Sequence, residues 1–152
     1  MSAECKLRSA NCKMGKFFDC GLLTRGSGLA VMTTEELKRR TFEFGIRVIR
    51  AVEALPKSDI ARHVGGQLLR AGTSVGANYR AAARARSRAD FIAKLGIVEE
   101  ECDESSYWMA MLVALGLLNE NRFTDLRAEA SELLAIIVSS IKTARCGKRV
   151  TN

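Results

Sequence analysis

One proline and one histidine, Pro56 and His63, occur in 152 residues, and each scarcity closes off a kind of protein. With a single proline the chain holds no proline-rich linker, and long helices can run without a break. With a single histidine it holds no Glu-x-x-His motif of the metal-binding bundles, and no nucleophile or carboxylate is patterned around His63 to form a triad. The five cysteines, Cys5, Cys12, Cys20, Cys102 and Cys146, contain no C-x-x-C pair and no zinc spacing. Their odd number, without an export signal, points to a reducing cytoplasm. No glycine loop of the phosphate-cradling type is present. The longest apolar runs, such as residues 133–138, are far too short to cross a bilayer. Glu100 and Glu104 lie one helical turn apart, but paired acids on an outer helix face are ordinarily solvated. Neither an enzyme nor a resident metal or cofactor is expected, and no membrane partner.

What remains is a chain of 47% hydrophobic and 27% charged residues, the composition of one globular domain able to bury a core without staples. The net charge of +7 is unevenly spread. Residues 57–88 hold seven basic side chains against Asp59, whereas residues 89–139 hold ten acids against Lys94, Arg122 and Arg127. The chain is electrostatically polar rather than merely basic.

Apolar residues recur at three- and four-residue spacing in four segments. The first runs from about residue 34 to 55, opened by a capping box at Thr33 and Glu36 and stopped by Pro56. The second runs from Ser58 or Asp59 to about residue 85. The third opens on a second capping box at Ser87 and Asp90, places Cys102 in the core and ends at Gly116, a glycine C-cap followed by Leu117. The fourth spans about 120–144. Short connections between long helices predict an all-α, antiparallel, up-down-up-down four-helix bundle. The expected bundle covers residues 32–145. Residues 1–31 share no pattern with it and read as a disordered leader or a misassigned start. Residues 146–152 read as a basic tail.

The second helix is the most informative stretch. Arg62, Arg70, Arg80 and Arg84 fall within an arc of about 80°, opposite Val64, Leu68, Ala71, Val75, Asn78 and Ala82. A stripe about 40° wide collects Gly65, Gly72, Gly76 and Ala83. Each helical glycine costs about 1 kcal/mol relative to alanine, so close approach to a neighbour is expected at Gly72 and Gly76. The pattern leaves open whether that neighbour is another helix of the bundle or another subunit. Asn78 reads as an amide fixing helix register. Thr73 and Ser74 should bond backwards to the helix backbone.

The arginine arc has two readings. It is a phosphate-binding strip of Arg62, Arg80 and Arg84, extended across the turn by Arg86 and Arg88. Or it pairs with the acidic run Glu99, Glu100, Glu101, Asp103 and Glu104 of the third helix, the use best suited to Arg70. Tyr107 and Trp108 offer faces for base stacking, but at helical spacing beside Met109 and Met111 they read as core or subunit packing.

Residues 67–78, QLLRAGTSVGAN, strongly resemble the signature of a family of small bacterial four-helix-bundle proteins encoded in intervening sequences of large-subunit ribosomal RNA genes. Relatives in that family serve as accessory proteins of diversity-generating retroelements. Residues 86–92, RSRADFI, and the turn at 115–118, LGLL, fit as well. After Asn78 many members continue with isoleucine, alanine, glutamate and glycine, where this chain has Tyr79, Arg80, Ala81 and Ala82. The resemblance implies a ring-like pentamer with a basic surface, contact with RNA or DNA, and docking to a reverse transcriptase. Together these readings give a non-enzymatic, cytoplasmic, oligomeric nucleic-acid-binding accessory protein. The alternative is a protein–protein scaffold whose charged faces mediate assembly.

Overall fold

The computed structural model describes residues 32–146, in which four helices follow one another: α1 (Thr34–Glu53), α2 (Asp59–Ala82), α3 (Arg88–Ala114) and α4 (Glu120–Cys146). The expected leader and residues 147–152 of the expected tail lie outside the described residues. The helix starts are set by short polar side chains. Thr33 Oγ1 accepts the Glu36 N–H at 3.1 Å, Ser58 Oγ that of Ala61 at 3.2 Å, and Ser87 Oγ that of Asp90 at 3.1 Å. Each satisfies a donor that the first helical turn leaves free.

The end of α3 is fixed by Gly116, whose φ of 64° a side chain would resist. The Leu117 N–H reaches the Leu112 carbonyl at 3.1 Å and the Gly116 N–H that of Val113 at 2.9 Å, the two bonds of a Schellman turn.

Two helices end earlier than the sequence leads one to expect. α1 ends at Glu53 rather than near residue 55, and α2 at Ala82 rather than near 85. After Ala82 the N–H groups of Arg84 and Ala85 bond three residues back, to Ala81 and Ala82, which tightens the last turn. Ser87 must then be extended (φ −149°, ψ 164°) to cap α3. Arg84 therefore belongs to the turn and not to the face of α2.

Phe44 and Val48 of α1, Leu68 and Val75 of α2, Leu95 and Met109 of α3, and Phe123 and Leu133 of α4 are fully buried and form one core. Cys102 is buried there too, and burial pushes its thiol up to about 12. Tyr79 joins the core. Its phenol is pushed up to about 12, chiefly by burial, although a hydrogen bond to Thr34 opposes the shift.

The glycine stripe of α2 faces α1 within the same chain. A Cβ on Gly72 would lie 2.7 and 2.8 Å from the two methyl groups of Val48, and one on Gly65 2.5 Å from Leu55 Cδ1. A Cβ on Gly76 would meet the Thr41 carbonyl oxygen at 3.1 Å. Gly66 sits outside the stripe in open space. The cost of the glycines is offset where two helices come closer than side chains allow.

The other contact of α1 is built differently. α1 and α4 meet sparsely, and the Arg40 guanidinium bridges them, donating to both carboxylate oxygens of Glu129 at 2.9 Å and to Glu132 at 2.7 Å.

Candidate nucleic-acid interface

The arginines singled out by sequence separate into three groups. Arg70 is tied down: its guanidinium donates to Glu104 and lies 3.6 Å from Glu101, linking α2 to α3. Glu104 also accepts the Trp108 Nε1–H at 3.0 Å. That bond, and then Arg70, holds the Glu104 carboxyl below its ordinary range. Glu101 moves the opposite way: burial raises it despite Arg70, and its Oε2 has no hydrogen-bond partner. Arg88 is also engaged. Its Nε donates to the Ala144 carbonyl, so the start of α3 satisfies a carbonyl in the last turn of α4.

Arg62 is held only loosely. It pairs with Asp59 at 2.6 Å, but the two side chains are 82% and 91% exposed, a pairing that water and salt screen. Arg80, Arg84 and Arg86 form the third group. All are exposed, and among the described residues none forms an ion pair, although the Asp90 carboxylate lies near enough to Arg86 to feel its charge. The Arg80 guanidinium lies 6.0 Å from the centroid of the exposed Phe42 ring, which orients it without neutralising it. Arg86 donates its backbone N–H to Asp90 Oδ2 at 3.0 Å, and its side chain is exposed. Asp90 is held below the usual carboxylate range by Lys94 first and this N–H second. The basic edge thus runs from the last turn of α2 through the α2–α3 turn.

The acidic run does less internal pairing than expected. Only Glu101 and Glu104 reach α2. Glu99, Glu100 and Asp103 make no ion pair among the described residues and give α3 an acidic outer side. Tyr107 is 55% exposed rather than core, because it stands about 200° around α3 from the buried Met109. Trp108 packs against the core, with the Tyr107 ring edge-on at 4.9 Å. Asn78 is half-buried and makes no side-chain hydrogen bond among the described residues. Thr73 bonds back to the Leu69 carbonyl at 2.7 Å, as expected.

Sequence reasoning passed over α1. Arg39 takes both Glu36, at 2.6 Å, and Glu43, at 2.7 Å. Arg47, four residues after Glu43, is therefore left without a carboxylate, and so is Arg50. Both line cavities on the α1–α4 seam. The available signal was the competition of Arg39 and Arg47 for one glutamate, which spacing alone does not decide. No group of three or more His, Cys, Asp or Glu side chains able to hold a metal occurs among the described residues. No described helix is long and apolar enough to cross a membrane.

The model of a family described as 23S rRNA-intervening sequence protein matches residues 34–139. A crystal structure of a protein of unknown function from the S23 ribosomal protein family of Bacteroides thetaiotaomicron VPI-5482 is 32% identical. The alignment covers 72% of this chain and 97% of that one, with a TM-score of 0.67. No curated protein matches.

Proposed function

The chain belongs to the 23S rRNA-intervening sequence protein family, and from that premise we propose that it is a non-enzymatic cytoplasmic protein that binds RNA through phosphate contacts. The observation that carries this reading is the basic edge of Arg80, Arg84 and Arg86, exposed and without an ion pair among the described residues. Arginine forks suit phosphate oxygens, and a row of them binds without reading sequence. Arg62 extends the edge by exchanging Asp59 for a phosphate, an exchange of small cost because the ion pair is solvated. Arg88 serves the edge indirectly, by fixing the start of α3 on α4. Assembly into a homo-oligomer, a pentamer by family resemblance, would repeat the edge and add weak contacts by avidity. Docking to a reverse transcriptase rests on resemblance alone.

A second reading has its own observation. Glu99, Glu100 and Asp103 on α3 lack ion-pair partners among the described residues, as a scaffold for a basic protein surface would require.

Fluorescence-anisotropy titration of structured RNA with the full chain, beside Arg80/Arg84/Arg86→Ala, separates the two. RNA binding through the edge predicts weaker binding by the variant and a salt dependence whose log–log slope is smaller by about 2 to 3. Equal binding and equal slope would remove the edge from the function. Light scattering on both proteins reports whether oligomeric mass is unchanged.

A further inference from the structure

We propose that the cavity between the C-terminal half of α1 and the start of α4 binds one nucleoside monophosphate unit, with its phosphate on Arg47 and Arg50 and its base on the apolar floor. The proposal deepens the RNA reading but concerns a different surface from the basic edge.

The cavity measures about 250 Å³ and is lined by Arg47, Arg50, Ala51, Ala54, Leu118, Phe123 and Leu126. Its chemistry is divided. Arg47 and Arg50 lie one turn apart on α1, about 60° apart around its axis, and have no carboxylate among the described residues. Two guanidiniums so placed can share one phosphate. Beside them Ala51, Ala54 and Leu118 expose carbon, and the buried Phe123 and Leu126 back the cavity from the core. Sites for small organic ligands combine an apolar bed with a few placed polar groups. A volume a little under the ~300 Å³ lower bound of drug-sized sites suits a single flat ring system.

The neighbouring cavity along the same seam limits the ligand further. It shares Arg47, but its other arginines, Arg39 and Arg40, are already paired with Glu36, Glu43 and Glu129. That cavity therefore offers no further unpaired guanidinium to a phosphate backbone continuing along α1. The site therefore takes one nucleotide, either free or presented by an RNA strand that turns away from the seam. A partner helix is disfavoured because it needs an elongated apolar groove for anchors at successive turns, and this cavity is short and capped by charge.

The experiment is an NMR titration of the full chain, following backbone amides, with a nucleoside monophosphate and separately with inorganic phosphate. Saturable shifts of Ala51, Leu118 and Phe123, at least about tenfold tighter for the nucleotide than for phosphate, are expected. Arg47/Arg50→Gln should weaken nucleotide binding about tenfold or more. Ala51→Leu, which fills the floor, should abolish it while thermal unfolding shows the fold intact. Arg80/Arg84/Arg86→Ala should leave it unchanged, so RNA binding can fail while this site stands, and the reverse. Competition by a short RNA oligonucleotide for the same amides assigns a strand-borne nucleotide; its absence assigns a free one. Three results would overturn the proposal: no shifts at millimolar nucleotide, equal response to phosphate alone, or shifts at these amides produced by raising protein concentration without nucleotide. The last would mean that a second copy covers the cavity.

Discussion

α1 makes two contacts of opposite construction. Against α2 it packs on glycines, with Val48 and the Thr41 carbonyl pressed where Gly72 and Gly76 have no side chain. Against α4 it relies on one bidentate arginine and leaves two cavities open. The first contact is close, steric and intolerant of added atoms. The second is polar, separated and able to admit a ligand. Rigidity and accessibility are thus divided between the two sides of one helix, and a seam held by charge is the side on which binding is to be sought.

The comparison breaks most sharply at Gly72. Gly72→Leu must displace the branched, stiff side chain of Val48, and overpacking of this kind costs about 3 kcal/mol or more, well beyond the helix propensity that leucine gains. Chemical denaturation of the two proteins measures it. A loss under about 1 kcal/mol would mean that the α1–α2 contact yields as readily as the α1–α4 seam.

Arg40→Ala tests the other side. Arg40 and Glu129 are 17% and 20% exposed, so removing the guanidinium leaves a half-buried carboxylate unpaired. A fully buried broken pair costs about 3–5 kcal/mol; with partial solvent access about 2 kcal/mol is expected. Replacing Glu129 by Gln in the Arg40→Ala background should recover part of the loss. No recovery would assign the effect to packing of the arginine stem rather than to charge.

Gly66→Ala provides the contrast within α2 itself. Nothing lies within 4 Å of a Cβ at Gly66, so alanine adds helix propensity without a clash. A stabilisation of about 0.5–1 kcal/mol is expected, opposite in sign to the effect at Gly72. A destabilisation would imply that another copy of the chain packs against this position.

These positions also mark how far the sequence could be read. Periodicity and the caps at Thr33, Ser58 and Ser87 define four helices, because both are local properties of the chain. The end of α2 was misplaced because residues 83–86 are good helix formers, and only the extended backbone that Ser87 needs stops them. The glycine stripe signals close approach, but the identity of the neighbour is written in Val48, Thr41 and Leu55, which the helical wheel of α2 does not contain. The pairing of Arg70 with the acidic run was legible as complementary charge. That of Arg88 was not, since its partner is a backbone carbonyl of Ala144. Arg47 and Arg50 were missed for a related reason: their setting depends on which arginine captures Glu43 and on side chains about 70 residues downstream.

The smallest effect separates the two carboxylates around Arg70. Glu104 has a lowered folded-state value, from Trp108 first and Arg70 second. Its stabilisation is present above the ordinary glutamate range and is lost as pH falls through the lowered value. Glu101 has a raised value because burial outweighs Arg70, so the sign reverses. Protonation of Glu101 favours the folded state, and its contribution at neutral pH is unfavourable. Glu101→Gln should therefore raise stability at pH 7 by less than about 1 kcal/mol, as expected when a charge with a buried, unpartnered oxygen is removed. The gain should shrink as pH is lowered through the raised value. Glu104→Gln should lower stability at pH 7 and make unfolding less sensitive to acid. Thermal unfolding of both variants between pH 3 and pH 8 measures the pair. Parallel curves would show that Arg70 holds the two carboxylates alike, and that the α2–α3 contact carries no division of labour of the kind seen on the two sides of α1.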